Sequence, residues 1–207
     1  MSIFAKPQEV QNDNNFGVKV LFLHGLEGSP NGEKSRHMQA KWGALVPHLR
    51  TTDLRNLKEK CRNQWHLADA EDLEEALSTP YQDALDAVQY CKPDIIVGSS
   101  MGAALLYKLY AEEAYSGSGV FLAPAIPNLL SSEEITSATK NVKNHATFWL
   151  FGETDTIVSN KENARIAKLC KGSIAYSPED GHRLKSATDS GLIDSAILTV
   201  IEMSQVS

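Results

Sequence analysis

The chain reads as an α/β protein with a largely parallel central sheet and helices on both faces, and three observations point there. Short apolar runs rich in β-branched and aromatic residues alternate with longer stretches of helical spacing along the 207 residues. Those short runs are mostly apolar throughout, as strands covered on both faces should be. No repeat, low-complexity tract or linker interrupts the alternation. Residues 18–207 are therefore expected to form one domain behind a polar N-terminal lead-in, residues 1–17 (MSIFAKPQEVQNDNNFG).

Strands are expected near 18–23 (VKVLFL), 49–53 (LRTTD), 94–98 (DIIVG), 119–123 (GVFLA), 147–151 (TFWLF) and 173–177 (SIAYS), in a sheet of about six to seven strands. Helical stretches fall near 33–45, 70–91, 101–115, 132–140, 160–170 and 190–204. The last carries Leu192, Ile193, Ala196, Ile197, Val200 and Ile201 at three-to-four spacing, which makes one buried stripe. The segment 54–70 (LRNLKEKCRNQWHLADA) has no clear period and reads as a long loop over one edge of the sheet.

Composition narrows the partners. With 20 Lys and Arg against 26 Asp and Glu, the net charge of −6 argues against nucleic acid or an anionic membrane. No apolar run approaches the roughly 20 residues that a spanning helix needs. The N-terminus lacks a basic segment followed by an apolar stretch, so no secretory signal is read and a cytoplasmic location is expected. Cys61, Cys91 and Cys170 are odd in number, far apart and without a C-x-x-C pair. They read as reduced, packed thiols, neither a disulfide framework nor a zinc site.

The chemistry concentrates at Gly98-Ser99-Ser100-Met101-Gly102, a G-x-S-x-G pattern between an expected strand and an expected helix. A serine at the tip of such a turn is exposed above the sheet, small flanking residues keep Cβ atoms from clashing, and the helix N-terminus faces developing negative charge. A glycine-rich nucleotide loop would need G-x-G-x-x-G or G-x-x-x-x-G-K-[ST], and neither is present. Ser100 is thus the candidate nucleophile and Ser99 its neighbour. A serine hydroxyl needs a base, and the base needs an orienting carboxylate.

Both follow later in the chain, each on a loop after a strand. FGETDTIV supplies Asp155, and SPEDGHRL supplies His182. Glu153 is the competing acid, but Asp155 lies farther beyond the strand end. Asp180 stands too near His182 in sequence to orient it and reads as a solvated loop charge. The remaining histidines, His37, His48, His66 and His145, have no catalytic context and read as surface or satisfied side chains. An oxyanion site needs two N–H donors, one from Met101 after the nucleophile and one from Leu26 after the His24-Gly25 corner. His24 itself reads as structural, because no second histidine or carboxylate stands at ligand spacing; no metal and no cofactor are expected. Glu27 either borders the pocket, where it would disfavour anionic substrates, or is an exposed loop charge.

With LHGLEGSPNGEKS, GSSMGA, FGETDTIV and DGHR in this order, the chain from about residue 18 to its end resembles the α/β-hydrolase superfamily. The LHG-x-x-GSP-x-x-x-KS opening and the small size are more narrowly similar to the YqiA-type small esterases. That resemblance implies an α/β-hydrolase fold and a serine hydrolase acting on short-chain esters, with Ser100, Asp155 and His182 as triad and Leu26 and Met101 as oxyanion donors. Many members of the superfamily have a further glycine where this chain has Ala103; the alanine should be tolerated as part of the helix, with slight crowding of the acyl pocket.

The interval APAIPNLLSSEEITSATKNVKNHA holds only about one helix, so little or no lid domain and an open site are expected. Leu129, Leu130 and Ile135 read as the packing face of that helix or as a small apolar rim. The expected partner is a small-molecule ester. The same triad also serves thioesters, amides and peptides, and the fold can carry a ligand-binding protein instead.

Overall fold

The computed structural model describes residues 17–205, so all of the expected lead-in but Gly17 lies outside the described residues. Among them, β1 (Val20–Leu23), β2 (Ile95–Ser99), β3 (Ser118–Leu122), β4 (Thr147–Leu150) and β5 (Ser173–Tyr176) pair in parallel in that order. The sheet has five strands, not six to seven. The strand expected at 49–53 is absent: Leu45 forms a single parallel bridge to Leu21, and α2 (Thr52–Lys60) occupies the place instead.

The reason is a pair of long-range contacts. The Leu49 N–H donates to His24 Nε2 at 3.4 Å, and the Arg50 N–H donates to the Asp83 carboxylate at 2.7 Å. A backbone committed to side chains cannot continue a ladder. Leu54 and Leu57, three residues apart, then bury one face of a helix in the stretch that resisted reading from sequence.

Alternation along the strands feeds two cores. Leu21, Leu23, Ile96, Phe121 and Trp149 face α2, α3 (Ala70–Cys91), α4 (Met101–Ala111), α5 (Ile126–Leu129), α6 (Ser132–Val142) and α7 (Asn160–Leu169). Val20, Phe22, Val97, Val120, Phe148 and Leu150 face α1 (Glu33–Trp42), α8 (Lys185–Asp189) and α9 (Leu192–Gln205). The stripe read on the last helix is buried as expected, with Ile193, Ala196, Ile197, Val200 and Ile201 all in the second core. Covering on both faces holds for β1 to β4 but not for the edge strand β5, where Ile174 and Tyr176 are exposed. α4 runs through the middle of the first core and Tyr107 on it meets Phe121 and Trp149 edge-on, at 5.9 and 5.8 Å.

A buried carboxylate locks α9 onto α1. Asp194 accepts from Trp42 Nε1 at 2.7 Å and Lys41 Nζ at 2.9 Å, and lies 3.0 Å from His37 Nε2. Asp194→Ala removes the acceptor of a buried indole N–H together with the helix-to-helix bonds, and is expected to lower unfolding free energy by about 2–4 kcal/mol. Urea denaturation would measure it, and a loss below about 0.5 kcal/mol, the ordinary surface value, would contradict the assignment.

Candidate functional site

Ser100 sits between β2 and α4 at φ 55°, ψ −112°, outside the regions an L-residue favours. Its backbone is held on several sides: the N–H donates to Leu122 O at 2.8 Å, and the C=O accepts from Ala103, Ala104 and Ala125 at 3.1 to 3.2 Å. Such over-determination sustains a strain of about 1–3 kcal/mol. The glycines on either side are there for space. A Cβ on Gly98 would stand 2.6 Å from Ala103 Cα, and one on Gly102 2.0 Å from the Leu23 carbonyl oxygen. Strand, turn and helix therefore close on each other backbone to backbone. Ala103 is fully buried beneath the turn and does not border the cavity above it, so the expected crowding of an acyl pocket does not arise.

Two later loops bring the other predicted residues to Ser100. His182 Nε2 lies 2.9 Å from Ser100 Oγ, and His182 Nδ1 lies 2.8 Å from Asp155 Oδ2. The other Asp155 oxygen accepts the N–H groups of Ile157 and Val158 at 2.8 and 3.1 Å. Burial would raise the Asp155 pKa, but the bonds from His182, Val158 and Ile157 outweigh it and hold the carboxyl below the usual range. A carboxylate at Nδ1 selects the Nδ1–H tautomer and leaves the Nε2 lone pair facing the serine.

Glu153 is exposed, and its backbone N–H donates to Pro178 O at 2.8 Å. Asp180, read from sequence as a solvated loop charge, instead accepts from the Gly181 and Ala187 N–H groups at 2.8 and 3.0 Å and so shapes the loop that carries His182. The acid and histidine loops are bonded directly, Thr154 N to Asp180 O at 3.0 Å, and a Cβ on Gly152 would stand 2.1 Å from that oxygen.

On the opposite side of Ser100, Gly25 passes so close that a Cβ there would be 3.2 Å from the serine Cβ. His24 Nδ1–H donates to Gly25 O at 2.9 Å, and burial lowers the His24 pKa, so the ring is a neutral brace. Met101 opens α4, where first-turn N–H groups have no intrahelical acceptor. The Leu26 N–H has no acceptor among the described residues. Both residues border the same cavity as Ser100 and His182.

Neither a protein-family model nor a curated protein sequence matches the chain. Solved structures do. Est1E from Butyrivibrio proteoclasticus superposes with a TM-score of 0.62 at 13% identity, over 91% of this chain and 88% of its own. A structure described under LipS and LipT, two metagenome-derived lipolytic enzymes, gives 0.58 at 15%, over 89% and 93%. N-formylmaleamic acid deformylase from Pseudomonas putida gives 0.60 at 11%, over 87% and 92%. The chain has the α/β-hydrolase fold.

Within this hydrolase fold the cavity beside Ser100 measures about 480 Å³. The interval after β3 builds no lid: Leu129 and Leu130 are buried against the first core, Ile135 packs on it, and Leu129 also lines the cavity. The wall that sequence reading missed comes from the 54–70 segment, where the short 3-10 turn Trp65–Leu67 brings Trp65 to the cavity. Arg55 on α2 was missed as well. Its Nε and Nη2 donate to Leu26 O at 3.1 and 2.8 Å, gripping the peptide next to the proposed oxyanion donor. The i, i+3 pair Leu54 and Leu57 was the available signal that 52–60 is a helix carrying Arg55.

Among the described residues, no group of three or more His, Cys, Asp or Glu stands where it could hold a metal ion, and no helix is long and apolar enough to cross a membrane.

Proposed function

We propose that the protein is a serine hydrolase that cleaves small carboxylic esters through an acyl-enzyme. The observation that carries this reading is the unbroken hydrogen-bonded line Asp155–His182–Ser100, ending on a serine held at a strained strand-to-helix turn. Ser100 Oγ attacks the acyl carbon while His182 Nε2 takes its proton, and the carbonyl π pair moves onto oxygen. The N–H groups of Leu26 and Met101 receive that oxyanion. Its collapse expels the alcohol, protonated by His182. Water, deprotonated by the same imidazole, then repeats the attack and releases the acid and Ser100. Asp155 stays ionised throughout and keeps the imidazolium in register.

The triad alone does not select oxygen over sulfur or nitrogen leaving groups. What favours small esters is the size of the cavity, about 480 Å³. Among the similar structures, Est1E is also described with ferulic acid bound, and one other is described under two lipolytic enzymes.

A fluorophosphonate tests the reading without knowledge of the substrate. The serine oxygen bonds to phosphorus and fluoride leaves, and intact-mass spectrometry with peptide mapping is expected to find one adduct, on Ser100, that is lost in His182→Ala. A folded protein with no adduct would overturn the hydrolase reading and favour a ligand-binding role for the fold.

A further inference from the structure

The cavity beside Ser100 has a charge of its own. It is lined by four cations, Lys34, Lys58, Arg183 and Lys185, and two carboxylates, Glu27 and Glu33, in a chain whose net charge is −6. The carboxylates are spoken for. Lys58 holds Glu27 at 2.8 Å, and Lys185 reaches Glu33 at 3.4 Å and Asp189 at 3.0 Å. Glu27 therefore lines the cavity paired with Lys58, which offsets its charge there.

Lys34 and Arg183 are what remain. The Lys34 ammonium donates to the Arg183 carbonyl oxygen, and no carboxylate among the described residues lies in ion-pair range of it or of the Arg183 guanidinium. An ammonium has three donors, so two of those on Lys34 are left. Lys34 is half-buried, Arg183 is exposed and directly follows His182, and both border the cavity that holds Ser100 and His182.

Resting on the hydrolase reading, we infer that the substrate ester carries a carboxylate, in its acyl chain or its alcohol, which sits between the Lys34 ammonium and the Arg183 guanidinium. A half-buried cation without an anionic partner is costly, and a carboxylate with two charge-assisted donors removes that cost. Burial already pulls the Lys34 pKa down to about 8, opposed by Asp180 of the histidine loop and by Glu33 on its own helix, and assisted by Arg183. The cation is present below that pH and lost above it. Selectivity for an anionic ester is thus greatest below that pH and declines as pH rises through about 8.

Two matched ester pairs test the inference: para-nitrophenyl hemiglutarate against para-nitrophenyl pentanoate for the acyl side, and para-acetoxybenzoate against para-acetoxybenzamide for the alcohol side. In at least one pair kcat/KM is expected to favour the anion by about tenfold or more, mainly through KM. Lys34→Gln and Arg183→Gln are each expected to cut that ratio about five- to tenfold, and Lys34→Arg to restore it. A variant that slows both members of a pair equally would assign Lys34 to holding the histidine loop and overturn the inference. Ratios near one in both pairs, with Ser100 still labelled by fluorophosphonate, would overturn it and leave the hydrolase standing. No labelling and no hydrolysis of any ester would remove both.

Discussion

Ser100→Ala is expected to lower kcat for ester hydrolysis by about 10⁴- to 10⁶-fold, with the fold intact. The contacts that hold residue 100 at φ 55° are made by its backbone N–H and C=O, which alanine keeps. What is lost is the oxygen 2.9 Å from His182 Nε2, hence the acyl-enzyme itself. The residue left would be catalysis by the oxyanion donors and by binding alone. Steady-state hydrolysis of a para-nitrophenyl ester alongside thermal unfolding of both proteins measures each half of the expectation. Turnover equal to that of the native protein would remove Ser100 from the mechanism.

The second large effect is expected at Asp155→Asn, where kcat/KM should fall about 10³- to 10⁴-fold through the wrong imidazole tautomer. The direction follows from the two backbone donors at Ile157 and Val158, both aimed at one Asp155 oxygen. In the variant those N–H groups fix the amide oxygen where they are, which turns the amide NH₂ toward His182 Nδ1. An imidazole that must accept at Nδ1 carries its proton on Nε2 and cannot take one from Ser100. Glu153→Gln, two residues away on an exposed side chain, should stay within about twofold, as surface changes usually do. If the two variants exchanged behaviour, Glu153 and not Asp155 would be the orienting acid.

Much of the site was legible in the sequence, and for a reason each residue makes plain. Gly98 and Gly102 on either side of Ser100 announce a turn because the backbone leaves no room for a Cβ at either place, and a local steric demand leaves a local signature. Asp155 and His182 were found because each follows its strand by a short loop, so the order along the chain maps onto one edge of a parallel sheet. The stripe of α9 was readable from period alone, and the apolar runs of β1 to β4 showed that both faces of the sheet are covered, though not which residue faces which core.

Other features belong to the tertiary structure. The segment 49–53 has a composition compatible with a strand, and only the Leu49 and Arg50 N–H groups finding His24 and Asp83, 25 and 33 residues away, make it the approach to a helix. Arg55 gripping Leu26, Trp65 walling the cavity and Asp180 shaping the histidine loop are contacts between elements whose spacing in sequence carries no period. Glu27 repels an anion or not according to whether Lys58 reaches it, and Lys34 lacks a carboxylate only because of where α1 meets the histidine loop. By itself the sequence determined the fold class and the order in which Ser100, Asp155 and His182 reach one place, since both depend on short-range sterics and strand order. The charge and walls of the cavity were decided by packing, because they depend on which distant side chains arrive together.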